Sequence, residues 1–141
     1  MAIADISINS DVWTTVRTII VAAAPKITNG TATSTKTAGI YASYNDKTFK
    51  MPGIVINPAS ISESDYKFGS NVGKRFINVD IECYYKNTLG TDQLSDQIIH
   101  AVGAADISGM ELVGFSNEQA FVDPNQAKFQ LKTITFTFER E

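Results

Sequence analysis

Hydrophobic periodicity changes once, and sharply, within Lys74–Val102, and that change constrains the fold more than any other feature of the chain. Ile77, Val79, Ile81, Cys83 and Tyr85 alternate with Asn78, Asp80, Glu82 and Tyr84. A period of two sends one set to a buried face and the other toward water, which predicts a long half-buried strand over Phe76–Tyr85. Beyond Lys86–Gly90 the spacing becomes helical. Leu94, Ile98, Ala101, Val102 and Ala105 mark one face of a helix over Thr91–Ala105. Thr91 is its expected N-cap, with Asp92 set against the positive end of the helix dipole. A strand with one wet face, leading into one amphipathic helix, implies an antiparallel or mixed sheet covered by helices on one side.

A second helix is expected near the start, over Ser10–Ala24. Val12, Val16, Ile19, Ile20 and Ala23 form its apolar face, flanked by Trp13 and Ala24. Asn9 or Ser10 can cap it, and Pro25 stops it because proline disfavours a helical residue before it. Its β-branched content lowers helix propensity, so packing must hold it. Lys26–Ala38 turns to Thr, Ser, Gly and Asn without periodicity and reads as a mobile loop. Gly39–Tyr44 and Thr48–Met51 are expected to pair as a small hairpin. Ile54-Val55-Ile56, bounded by Pro52 and Pro58, reads as a short buried strand. Ala59–Arg75 reads as a long hairpin tip or irregular loop. Two closing strands follow, Met110–Val122 and Ala127–Glu141, joined across Asp123-Pro124-Asn125-Gln126. In the last strand Phe129 and Leu131 share one parity, whereas Ile134, Phe136 and Phe138 share the other. A β-bulge near Lys132–Thr133, or a strand leaving one surface for another, reconciles them. The expected fold class is therefore α+β: four or more strands, two helices on one face, and a loop or hairpin extension.

With 141 residues, residues 1–141 are expected to form one domain of the usual ~100–200 residues. Hydrophobic content of 43% and charged content of 19% place the chain among ordinary globular proteins rather than disordered ones. A formal charge of -3 argues against a dedicated nucleic-acid binder, which carries a basic surplus. Cys83, the only cysteine, lies on the inward parity of its strand, which fits folding in a reducing compartment. The N-terminus has no basic stretch ahead of an apolar run, so no secretory signal is expected. The apolar run Ile19–Ala24 falls far short of the ~20 residues that span a bilayer. Without export, Asn29-Gly30-Thr31 reads as a turn rather than a glycosylation site.

Chemistry-bearing candidates are few. His100, the only histidine, projects on the polar helical face with Asp92 and Asp96. One helix face spans too far for these three to hold a single ion, so a surface Asp96–His100 pair is the expected arrangement. No G-x-S-x-G elbow is present to use His100 in a triad. Gly69-Ser70-Asn71-Val72-Gly73 lacks the spacing of a phosphate loop and opens no predicted helix. Cys83 reads as a small core residue. Tyr41, Tyr44, Tyr66, Tyr84 and Tyr85 suit a nucleic-acid stacking platform or a protein interface, and the mild acidity favours the interface.

The order of these elements resembles the tail-terminator (tail-completion) proteins of long-tailed bacteriophages and related head–tail joining proteins. The resemblance covers Asp11 to Phe138 and is carried most by Pro52–Pro58 followed by Phe76–Val102. It implies a non-enzymatic α+β protein that closes into a homohexameric ring. That ring caps the tail tube protein, ends tube polymerisation and meets the head connector, while DNA passes through the lumen without specific binding. The implied location is the virion, at the tail–head junction, after folding in the host cytoplasm, with no cofactor or metal and no membrane contact. Val21, Ile99 and Tyr84 lie outside the inferred core faces and are the first interface candidates. Tyr44, in the expected hairpin, and Tyr66 and Lys67, in the polar Ala59–Arg75 segment, join them. A neck or head-completion protein is the nearest alternative. A small α+β ligand-binding or hydrolytic protein using His100 is the rival from another class.

Overall fold

The alternating strand forms the middle of a six-stranded sheet. The computed structural model describes residues 8–28, 35–42, 48–64, 74–107, 109–120 and 129–140. In chain order the elements are α1 (Ile8–Ala23), β1 (Lys26–Thr28), β2 (Thr35–Thr37), β3 (Gly39–Tyr41), β4 (Gly53–Ile56), β5 (Ser60–Ser64), β6 (Lys74–Tyr85), α2 (Thr88–Ala104), β7 (Met110–Ala120) and β8 (Gln130–Arg140). The large sheet runs β3-β4-β6-β8-β7, and β5 pairs with β6 beyond the end of β4. β3 and β4 are parallel and the other pairs antiparallel, so the sheet is mixed. β1 and β2 form a separate antiparallel pair.

Both helices lie on one side of this sheet, as the alternation in β6 requires. Ile77, Val79, Ile81, Cys83 and Tyr85 of β6 join Val12, Val16 and Ile20 of α1 and Leu94, Ile98 and Val102 of α2 in one core cluster. Ile54 and Ile56 of β4 and Ile134, Phe136 and Phe138 of β8 complete it. Burial of each large aliphatic or aromatic side chain contributes about 1.5–3 kcal/mol, which is what holds the β-branched α1 helical. Trp13 fastens α1 to the sheet, its indole N–H donating to the Ile56 carbonyl at 2.9 Å. At the end of α1, Ala24 takes a positive φ of 47° and its N–H reaches the Ile20 carbonyl, which ends the helix just before Pro25.

Several local expectations are corrected. α1 begins at Ile8, so Asn9 and Ser10 are inside the helix rather than capping it. α2 begins three residues earlier than its apolar pattern suggests. Asn87 is its N-cap, accepting from the Gly90 N–H at 2.8 Å. Thr91 is instead a fully buried helical residue whose hydroxyl donates to the Thr88 carbonyl at 2.9 Å. Asp92 therefore lies beyond the first turn and pairs with Lys132 at 2.5 Å. Lys26–Ala38 is not a loop throughout, because its two ends pair as β1 and β2. Residues 29–34 lie outside the described residues. The expected hairpin of Gly39–Tyr44 with Thr48–Met51 does not form. β3 pairs with β4 instead, and no strand covers residues 48–51. The ends of Ala59–Arg75 are the paired strands β5 and β6, while residues 65–73, like the turn at 123–126, are not described.

The parity switch in β8 has a simpler origin than a bulge there. Pairing of β6 with β8 keeps one register from Arg75↔Arg140 to Tyr85↔Gln130. Ile134, Phe136 and Phe138 face the helices, and Leu131, opposite Tyr84, faces the other side. The bulge lies in β7, between Leu112 and Gly114.

Candidate functional site

The sheet face away from the helices carries an ordered polar ladder. Strand register sets Asn78, Asp80 and Glu82 of β6 opposite Thr137, Thr135 and Thr133 of β8. The Thr137 hydroxyl donates to Asn78 Oδ1 at 2.8 Å, and the Thr135 hydroxyl to Asp80 Oδ1 at 2.6 Å. Such cross-strand pairs fix rotamers as well as adding stability. Glu82 is held at both oxygens, by Asn57 Nδ2–H at 2.7 Å and by the Tyr84 hydroxyl at 2.8 Å. β7 adds Glu118 beside Thr133, and Glu139 of β8 lies opposite Phe76. The charged side chains described on this face are thus all carboxylates.

At one end the same face is closed by aromatic rings. Tyr84 stacks edge-on with Phe49 and Phe129, at centroid distances of 5.4 and 5.5 Å, and Phe49 packs on Tyr41 at 4.9 Å. Phe49 can lie on the sheet because Gly53 has no Cβ; one there would come 2.7 Å from the ring. This cap explains why Val55, whose register partner is Glu82, is buried.

The cap also corrects one interface candidate. Tyr84 is only 6% exposed, so it belongs to this aromatic cap and not to a free surface. Ile99 is partly buried against the core, which corrects its expected surface role. Val21 stands 46% exposed on α1. Tyr44, Tyr66 and Lys67 lie outside the described residues. The exposed apolar residues that periodicity did not single out are Met51, Ile61, Leu89, Val113 and Phe115. The sequence signal for the last two was available only if β7 had been recognised as an edge strand.

His100 lies with Ala23, Asp96, Gln97 and Ala101 along an open depression of about 330 Å³ between the helices. Asp96 and His100 are both exposed, and among the described residues no ion pair joins them, so the expected surface pair is absent. Asp92 is drawn off to Lys132. No group of three metal-ligating side chains converges among the described residues. A second groove, of about 260 Å³, runs between Ser10 and Trp13 of α1 and Ala42, Ile56, Pro58 and Ala59. It is apolar and offers no titratable side chain among these lining residues. Cys83 is enclosed in the core, and burial pushes its thiol up to about 12, far from a reactive thiolate at neutral pH. No described helix is long and apolar enough to cross a membrane.

No protein-family model matches the chain, and no curated protein matches it either.

Proposed function

We propose that this chain is a structural virion protein of a long-tailed bacteriophage. In this reading it caps the tail tube as a homo-oligomeric ring, six copies by the family resemblance, ends tube polymerisation and forms the surface that joins the head connector. The observation that supports it best is the ordered acidic sheet face of Asp80, Glu82, Glu118 and Glu139. Phosphate affinity comes chiefly from Lys and Arg contacts, so a face lined with carboxylates, two of them held by hydrogen bonds, suits a passage that DNA must cross without sticking. Exposed apolar residues at Val21, Leu89, Val113 and Phe115 suit a protein whose surfaces meet other subunits. The open depression at His100 holds no serine, threonine or cysteine among its lining residues, which weighs against a hydrolytic role.

The test is tube assembly in vitro. Tail tube protein from the same phage is polymerised with and without this chain, and tube length and end structure are read by electron microscopy. The expected result is that elongation stops and a ring sits on one tube end. Tubes that elongate unchanged, with no density at their ends, would overturn the reading. Binding to isolated connectors but not to tubes would favour the neck or head-completion alternative.

A further inference from the structure

Among the described residues three strands of the sheet are paired on one side only, β3, β5 and β7. β3 is three residues long and carries no exposed large apolar side chain, which leaves β5 and β7, two unlike edges. Among the described residues β7 pairs with β8 alone and β5 with β6 alone. β7 is the longer, with 11 residues against 5. α2 packs over β6 and β8, and β7 overhangs that layer. Phe115, whose register partner Phe136 is fully buried, is itself 53% exposed. Val113, at the bulge, is 46% exposed. At the opposite edge Ile61 pairs in register with Ile77 and so shares the helix side of the sheet, where it is 40% exposed.

A long edge strand presents a row of N–H and C=O groups that can template another strand. Proteins that stay apart blunt such edges with Lys, Pro, inward charges or very short strands. β7 reads Met-Glu-Leu-Val-Gly-Phe-Ser-Asn-Glu-Gln-Ala and contains neither Lys nor Pro. Its blunting devices are Glu111, Glu118 and the bulge, and beyond the bulge Gly114–Ala120 keeps a regular register with β8.

We propose that β7 of one copy pairs with β5 of the next, so that the sheet continues from copy to copy and Phe115 meets Ile61 on the helix side of the seam. The occupant is a second copy because one chain carries both halves of the contact, with an exposed apolar residue on the same side at each edge. Strand direction supports the match. β5, β6, β8 and β7 alternate in direction, so in copies that all face the same way β7 and the next β5 are antiparallel, and the alternation runs through the seam unbroken. Unlike edges make the contact heterologous, and repetition then gives a closed ring or an open filament. Pairing β7 with itself would stop at a two-fold dimer. The inference rests on the ring reading only for self-association; the seam itself is argued from the two edges.

Cysteine cross-linking of the full chain tests it. Buried Cys83 stays out of the reaction in the folded protein. The Ile61→Cys/Phe115→Cys protein, treated with a short bismaleimide, should give a ladder of linked copies up to the ring, whereas each single variant should give none. Phe115→Lys and Ile61→Lys should each raise the dissociation constant of the oligomer roughly tenfold or more, with an unchanged far-ultraviolet circular dichroism spectrum. Dimers from Phe115→Cys alone would overturn the proposal in favour of two-fold pairing. An oligomer that forms normally in both lysine variants, with no ladder, would overturn the seam while leaving the ring and its tube-capping test standing. A chain that stays monomeric by sedimentation at every concentration would also overturn it.

Discussion

Two glutamines on α2 act as a strand partner for β1, and their removal gives a site-specific prediction. Gln93 Oε1 accepts from the Thr28 N–H at 2.9 Å, and its Nε2 donates to the Thr28 carbonyl at 3.3 Å. One helical turn on, Gln97 Oε1 accepts from the Lys26 N–H at 2.9 Å, and its Nε2 donates to the Lys26 carbonyl at 2.6 Å. Lys26 and Thr28 are two apart on a strand, so their backbone groups point to the same side, away from β2. The i, i+4 spacing on the helix matches that repeat. A net contribution of about 0.5–1.5 kcal/mol per hydrogen bond applies where water is excluded. The Thr28 bonds are part-buried and the Lys26 bonds exposed. Gln93→Ala should therefore cost about 1–3 kcal/mol, and Gln97→Ala under about 1 kcal/mol because water replaces its amide. Gln93→Glu should be at least as damaging as Gln93→Ala, since it replaces a donor with a second acceptor facing the Thr28 carbonyl.

Native-state hydrogen exchange reads this directly. In Gln93→Ala the Thr28 amide should exchange faster while the Ile27 amide, turned toward β2, keeps its protection; in Gln97→Ala the Lys26 amide should respond in the same way. Urea unfolding gives the global cost. If Thr28 exchange is unchanged in Gln93→Ala, or if Ile27 loses protection equally, the amide-as-strand reasoning fails. β1 would then be held by its pairing with β2 and by burial of Ile27.

Gly90→Ala should destabilise the protein by about 1–3 kcal/mol in urea unfolding, despite the better helix propensity of alanine, because its Cβ would collide with the buried Tyr85 ring. The raised thiol pKa of Cys83, about 12 against an ordinary 9.0, means the folded state holds its proton where the unfolded chain releases it. Its contribution is complete below pH 9 and falls by about 1.4 kcal/mol per pH unit as the pH climbs toward 12. A Cys83→Ala protein, compared by unfolding at pH 8 and 10.5, should lose less stability over that interval; an identical loss would refute the assignment. His100→Ala should change stability by less than about 1 kcal/mol and leave tube capping intact, since the side chain is exposed and unpaired with Asp96. Loss of capping would give His100 a role in contact with a partner.

What could be read from the sequence followed the length over which a pattern repeats. β6 repeats its alternation often enough that its buried set, from Ile77 to Tyr85, is the set found in the core. β4 was legible because β-branched residues sit between two prolines. β1 and β2 were not, since a strand of three residues has no period to detect. What holds β1 comes from Gln93 and Gln97, 65 and 71 residues away along the chain. Asn87 is not legible as a cap because the apolar stripe of α2 starts at Leu94, well inside the helix. Nothing in the hydrophobic pattern marks the turn of helix before it.

Surfaces were less legible than the core for a related reason. A residue of the wrong parity is assumed to face water, but that holds only if nothing covers the second face of the sheet. Tyr84 breaks the assumption because Phe49, from a segment with no regular structure, and Phe129, just ahead of β8, close over it. The same misjudged parity made β8 look bulged, when Leu131 was simply facing the side that Tyr84 faces. Phe115 is the converse case. It has the parity of a core residue and pairs with buried Phe136, yet it is exposed because the helical layer covers the last strand only in part, at Met110, Leu112 and Gln119. Parity assigns a side of the sheet; whether that side is dry depends on the width of the layer above it. Here two helices lie over a sheet whose main path is five strands wide, so the strand they cover only in part is where apolar surface remains, and it is there that the proposed seam between copies would form.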